Sequence, residues 1–265
     1  MTLFKRAILI VSFGTSVNET RIKTLEAIEH CIQTAYPDFL HERAWTSKLL
    51  REKVLKSDEL MIQSVPEALT KLSRNGIFEI YIQPTFVTRG GEYQKLIQEI
   101  SAFQHQFQSL RIGSPLMEQE ADFASIIHAI TQSSGFQQLK SDELLLFMGH
   151  GTTDGDDHLY NQLDQALKTE GYPHIFLKTM RSAGSIDEII DFAREHKITK
   201  ITLAPFMIVA GRHAVKDMAG DHADSWKSRL IRAGLQVHCN MTGLGELSEI
   251  QQLFVHKLDQ TGLRR

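Results

Sequence analysis

The feature that most constrains this chain is an internal repetition. Residues 64–95 lie on residues 185–216 without a gap, at a constant offset of 121, and seven of the 32 positions are identical. They include Pro84/Pro205, Gly90/Gly211 and Lys95/Lys216, and apolar residues coincide at positions such as Val65/Ile186 and Ile82/Leu203. The first apolar run of each half also ends alike, at Gly14-Thr15 and Gly151-Thr152, which sets Phe13 opposite His150. Shared proline and glycine are unlike a coincidence of composition, because each imposes a backbone requirement. Two copies of one α/β unit, facing each other across a cleft, are therefore expected.

Within each copy short apolar runs alternate with amphipathic stretches. Strands are predicted at residues 8–13, 44–46, 77–86, 110–112, 143–148, 175–177, 201–209 and 235–239. Apolar spacings of three and four predict helices near residues 18–34, 65–72, 159–167, 186–195 and 247–258. Strand, helix, strand in this order implies two parallel sheets covered by helices on both faces. The expected division is an N-terminal lobe of residues 1–135 and a C-terminal lobe of residues 136–265 that includes the closing helix.

Composition excludes several classes. With 29 basic and 32 acidic residues the formal net charge is -3, which gives no general attraction to nucleic acid or anionic lipid. Cys31 and Cys239 stand far apart and form no C-x-x-C pair. The apolar run at residues 7–11 is too short for a signal-peptide core or a membrane span, so a cytoplasmic protein is expected, with a homo-oligomer left open. Neither a Walker loop, nor G-x-G-x-x-G, nor Gly-x-Ser-x-Gly occurs.

Parallel sheets bind ligands beyond the carboxyl ends of their strands. His150, between Gly149 and Gly151, follows the first strand of the second copy directly, and the glycines strip bulk from around its ring. Glu92 and His213 each lie eight residues after the strand prolines Pro84 and Pro205, so they are equivalent. Two imidazoles suit Co²⁺, Ni²⁺, Fe²⁺ or Zn²⁺ and leave coordination positions open, as an ion in transit requires. Glu92 is a candidate proton acceptor. Residues 154–158 (Asp-Gly-Asp-Asp-His) lack the spacing of a calcium loop. They read as a solvated loop, as do Asp217, Asp221, His222 and Asp224.

The sequence resembles the anaerobic sirohydrochlorin cobaltochelatases, within the class II chelatases that include ferrochelatase. The likeness runs along nearly the whole chain: residues 11–16 (Val-Ser-Phe-Gly-Thr-Ser), Gly91-Glu92-Tyr93, residues 147–151 (Phe-Met-Gly-His-Gly), residues 209–211 with His213-Ala214, residues 217–219 through 224–227, and residues 243–246. The resemblance implies two metal-binding histidines, His150 and His213, and a catalytic glutamate, Glu92, which also counts among the groups able to touch the metal. It implies a divalent ion as substrate, Co²⁺ first and Fe²⁺ or Ni²⁺ as alternatives, a tetrapyrrole as the other substrate, and neither ATP nor an organic cofactor. A carrier that binds the macrocycle without turnover is the alternative of another class. Phe13, Phe86 and Met207 would pack on the macrocycle, and Arg89, Arg212, Lys48 and Arg43 would meet its carboxylates. The chain departs from the family pattern at Asp154-Gly155, at Arg212, and at residues 181–184 (Arg-Ser-Ala-Gly).

Overall fold

The structure, a computed structural model, describes residues 5–132, 139–152, 157–181 and 185–263. It forms two compact units, Met1–Glu118 with Ser248–Arg265, and Gln119–Leu247.

The first unit opens with β1 (Arg6–Ser12), whose residues Ala7, Leu9 and Val11 have no solvent exposure and face one core. Helix α1 (Asn18–Arg21) continues through a π-helical turn (Ile22–Glu26) into α2 (Ala27–Ala35). Then come β2 (Leu40–Trp45), α3 (Lys48–Asp58), α4 (Val65–Arg74), β3 (Glu79–Pro84), α5 (Gly91–Ser101) and β4 (Ser109–Ile112). The strand order is β2-β1-β3-β4 and every pairing is parallel. Val65, Ala68, Leu69 and Leu72 of α4 and Leu96 and Ile100 of α5 pack on one face of this sheet. Ile8 and Ile10, which alternate to the other face, are equally buried, as a sheet covered on both sides requires. Helix α4 begins with a capping box, in which Ser64 and Glu67 satisfy each other's backbone N–H, and Pro66 stands where no N–H is needed.

The second unit begins with α6 (Phe123–Gln132) and continues with β5 (Glu143–Gly149), α7 (His158–Thr169), β6 (Ile175–Thr179), α8 (Ser185–Glu195) and β7 (Lys200–Phe206). A π-helical turn (Ala214–Met218), α9 (Trp226–Arg232) and β8 (Gln236–Cys239) complete it. Its parallel sheet has the order β6-β5-β7-β8, the same as the first with each strand replaced by its counterpart. The register agrees too: β1 pairs Arg6 with Glu79, and β5 pairs Glu143 with Lys200, the residues that the repeat makes equivalent. The expected duplication is present in fold and register.

The division at residues 135 and 136 is corrected. The final helix, α10 (Ser248–Asp259), belongs to the first unit, where it packs on α2 and β3. Tyr36 Oη bonds Asp259 there, and Arg111 Nη1 donates to the Thr261 carbonyl at 2.9 Å. Conversely α6 belongs to the second unit, packed on α7. Both helices bury an apolar stripe, and a stripe in the sequence does not say which sheet covers it. Strand β7 stops at Phe206 and not at residue 209, because Met207 and Ile208 turn their carbonyls to the amides of Leu244 and Gly245. Helix α3, with Val54 as its one buried residue, carries no stripe and was not anticipated. Helix α5, which follows Gly90, is likewise absent from the predicted helices.

Candidate active site

At the carboxyl end of β5 the backbone is crowded. A Cβ on Gly149 would come within 2.7 Å of the Tyr160 ring, so no larger residue fits before His150. Gly151 follows with φ +75, the left-handed region that suits glycine. Its carbonyl turns back on the imidazole, and His150 Nδ1 donates to it at 3.0 Å. Beyond it Asp157 is buried, accepting from the Thr152 amide at 2.9 Å and from the Thr179 hydroxyl. Asp157 thereby ties the end of β5 to the end of β6.

His213 stands just before the second π-helical turn, after β7 and Gly211. Its Nδ1 donates to Asp217 Oδ2 at 2.7 Å. The rings of His150 and His213 have centroids 5.1 Å apart and planes at 75°. With metal–nitrogen bonds of about 2.1 Å, two imidazoles on one ion at a near-tetrahedral angle have ring centres roughly 5 Å apart. A carbonyl and a carboxylate only accept, so Nδ1 is a donor on both rings, which leaves Nε2 as the nitrogen through which either ring would bind a metal. Among the described residues no group of three or more His, Cys, Asp or Glu side chains that could hold a metal ion is gathered. The second unit offers a pair.

In the first unit the equivalent positions hold different chemistry. Phe13, the counterpart of His150, is 46% exposed beyond β1, and its carbonyl accepts from the Ser47 amide. Glu92, the counterpart of His213, is in the first turn of α5. Its Oε2 accepts from Thr46 Oγ1 at 3.0 Å and its Oε1 from Lys95 Nζ at 2.8 Å. The contact lifts the Lys95 ammonium above its usual range. Thr46 is itself fixed, its amide donating to the Ser12 carbonyl at 3.0 Å.

The remaining candidates divide sharply. Arg43 is ion-paired with Glu26 and Glu29, which removes it as a partner for a ligand's carboxylates. Arg89 pairs with Glu118 and lies over the Tyr93 ring at 5.3 Å. Lys48 and Arg212 are exposed, with Lys48 within 3.8 Å of Glu52. Met207 and Phe86 are partly buried, each against its own unit's core. Residues 154–156 of the acidic loop and residues 182–184 lie outside the described residues. Asp221 pairs with Lys227 at 2.7 Å, and His222 Nε2 contacts the Lys216 carbonyl, so neither gathers a site.

Residues 6–262 match the cobalt chelatase family, CbiK. The chain belongs to the cobalt chelatase family. It is 34% identical over 256 residues to the sirohydrochlorin cobaltochelatase of Salmonella typhimurium, covering 97% of this chain and 96% of that protein. It is 28% identical over 260 residues to the sirohydrochlorin cobaltochelatase CbiKC of Nitratidesulfovibrio vulgaris, covering 97% and 91%. Among solved structures, SirB from Bacillus subtilis with Fe³⁺ superposes with a TM-score of 0.68 at 16% identity, covering 97% of this chain and 96% of that one. CbiX, the terminal enzyme for biosynthesis of siroheme in denitrifying bacteria, gives 0.56 at 16% identity, covering 96% and 99%. These two likenesses show a shared fold.

Two residues that hold candidate side chains, one in each unit, carry no clear mark in the sequence. Asp217 was grouped with the acidic residues that follow it, although its spacing of four from His213 is the signal for a shared helical face. Thr46 bears on Glu92 from 46 residues away, and a lone threonine carries no signal at that distance.

Proposed function

We propose that this chelatase inserts Co²⁺ into sirohydrochlorin, with His150 and His213 as the metal ligands and Glu92 as the proton acceptor. The observation that carries the reading is the imidazole pair at the strand ends of the second unit, 5.1 Å apart with both Nδ1 atoms occupied. A two-imidazole site leaves most of the coordination sphere to water or substrate, so the ion is held and can still leave. Family membership makes a divalent metal the substrate, and the full-length match to two sirohydrochlorin cobaltochelatases supports the macrocycle.

Insertion exchanges charge evenly. Two pyrrole N–H protons leave, the two ring nitrogens bind Co²⁺, and the ion gives up its bonds to the imidazoles. A base must therefore take the two protons one at a time, passing the first to solvent before it accepts the second, and the Glu92 side chain is 35% exposed. Glu92 is assigned that role and not a third place on the metal, because its two oxygens already accept from Thr46 and Lys95. These donors hold the carboxylate still, as a positioned base requires. Phe13 offers an aromatic face to the macrocycle, and the exposed Lys48 and Arg212 are cations for its carboxylates. No organic cofactor enters the scheme.

The test is anaerobic incubation with sirohydrochlorin and Co²⁺, Fe²⁺ or Ni²⁺ in parallel, followed by absorbance. The expected result is catalytic turnover, fastest with Co²⁺. Faster insertion of Fe²⁺ or Ni²⁺ would reassign the metal. Binding of the macrocycle with release only in metal-free form would show a carrier.

A further inference from the structure

The two imidazoles are not held alike. His150 is oriented by a neutral group, the carbonyl of the next residue, at 3.0 Å. His213 is oriented by a carboxylate, Asp217, at 2.7 Å. The carboxylate sits one helical turn on, in a π-helical segment whose neighbours Ala214 and Met218 are buried in the core of the second unit. Its backbone therefore cannot drift with the loop that precedes it. About a third of the Asp217 side chain is exposed, against 43% for His213, so the pair is shielded without being closed off.

A carboxylate behind an imidazole acts in two ways. It fixes the ring's tautomer and direction, and it makes the far nitrogen a stronger donor to a cation; such partners change metal affinity by about 10- to 100-fold. A backbone carbonyl supplies the first effect and little of the second. The first unit shows the contrast: at the residue equivalent to Asp217, offset by 121, stands Leu96, fully buried, so its Glu92 has no such backing.

We infer that Asp217 is a positioning residue that makes His213 the capture ligand for the incoming ion, leaving His150 as the weaker ligand from which the ion departs. The inference rests on the assignment of both histidines as metal ligands. In this order the ion meets the carboxylate-backed imidazole first, gains His150 as a second ligand, and transfers to the macrocycle while still tethered. No bond other than metal–nitrogen changes, and the N–H protons leave as already described. Asp217 touches neither ion nor macrocycle.

The experiment compares Asp217→Asn, Asp217→Ala and His213→Ala with the parent protein. Long-range ¹H–¹⁵N correlation gives the tautomer of His213 in the metal-free protein, and titration with Co²⁺ alone gives affinity. Turnover at saturating macrocycle separates KM for Co²⁺ from kcat. Asparagine still accepts the Nδ1 proton, so Asp217→Asn is expected to keep the tautomer and raise KM for Co²⁺ about 10-fold with kcat nearly unchanged. Asp217→Ala is expected to lose the single tautomer and raise KM further, toward 100-fold. If both variants keep the parent KM while His213→Ala abolishes Co²⁺ binding, His213 is a ligand and Asp217 does not tune it, which sinks this inference alone. If His213→Ala also leaves Co²⁺ binding intact, the ligand assignment itself falls, and this inference with it.

Discussion

The two units share strand order, the register of the first strand against the third, and a glycine in the left-handed region just past the first strand: Gly14 at φ +104 and Gly151 at φ +75. At matched positions beyond those strands they differ. The first unit presents Phe13 and Glu92, and the second presents His150 and His213. The supports differ in kind as well. Glu92 receives hydrogen bonds from Thr46 and Lys95, whereas both histidines give theirs away, to a carbonyl and to Asp217. A duplicated scaffold thus carries a carboxylate and an aromatic side chain in one copy and a pair of imidazoles in the other. The backbone can be conserved because the chemistry sits just past the strand ends, outside the ladder that fixes register.

The largest effect should come from removing a ligand of the second unit. His150→Ala and His213→Ala are each expected to abolish most insertion while leaving circular dichroism and thermal unfolding near those of the parent. Near-normal rates from either folded variant at saturating Co²⁺ would show that the unit does not work through its imidazole pair.

A second contrast concerns the matched glycines. A Cβ at Gly14 would sit 2.6 Å from the buried Trp45 ring, whereas at Gly151 it would meet an Asp157 oxygen at 3.0 Å. Both substitutions carry left-handed strain of about 1–2 kcal/mol. Gly14→Ala adds overpacking of about 1–3 kcal/mol, since its Cβ would overlap the buried indole more deeply than a Cβ on Gly151 would overlap Asp157. Denaturant unfolding should therefore rank Gly14→Ala below Gly151→Ala, and the reverse order would contradict this reading of the two turns.

A smaller, pH-dependent effect is expected at the buried Glu29. Asp164 of α7 accepts the Leu177 backbone amide at 2.7 Å, while Glu29 of α2 meets the Arg43 side chain. Burial outweighs that guanidinium and pushes Glu29 up to about 7 from an ordinary 4.5. A carboxyl whose folded value is raised stabilises the fold fully below the unfolded value, and that stability is lost as pH rises through the folded value. Glu29→Gln should thus gain stability relative to the parent between pH 4.5 and pH 8. A difference that stays constant across that window, by urea unfolding, would place the cost of the ionised form elsewhere.

Much of this was legible in the chain. The offset of 121 located β3, β7, α4 and α8 together, because matched proline, glycine and core positions survive when surface residues diverge. His150 stood out because a strand end flanked by glycine is readable locally, and Glu92 and His213 because each lies eight residues after its strand proline. The assignments of α6 and α10 were not, since burial against one sheet or another is a tertiary choice. Nor was the loss of Arg43 to Glu26 and Glu29, which come from the helical stretch just before β2. Asp217 was within reach, four residues from His213, but its acidic neighbours disguised it.

In the proposed scheme the second unit binds the metal and the first removes the protons. Glu92→Gln separates the two tasks, since the amide keeps the shape and cannot act as the base. Co²⁺ affinity and insertion rate should be measured on one preparation of this variant and compared with His213→Ala. Unchanged Co²⁺ affinity and macrocycle affinity are expected in Glu92→Gln, with insertion slowed on the order of 10²-fold or more, the scale of a positioned acid or base. Loss of Co²⁺ affinity in Glu92→Gln comparable to that in His213→Ala would contradict the scheme, and would make Glu92 a metal ligand.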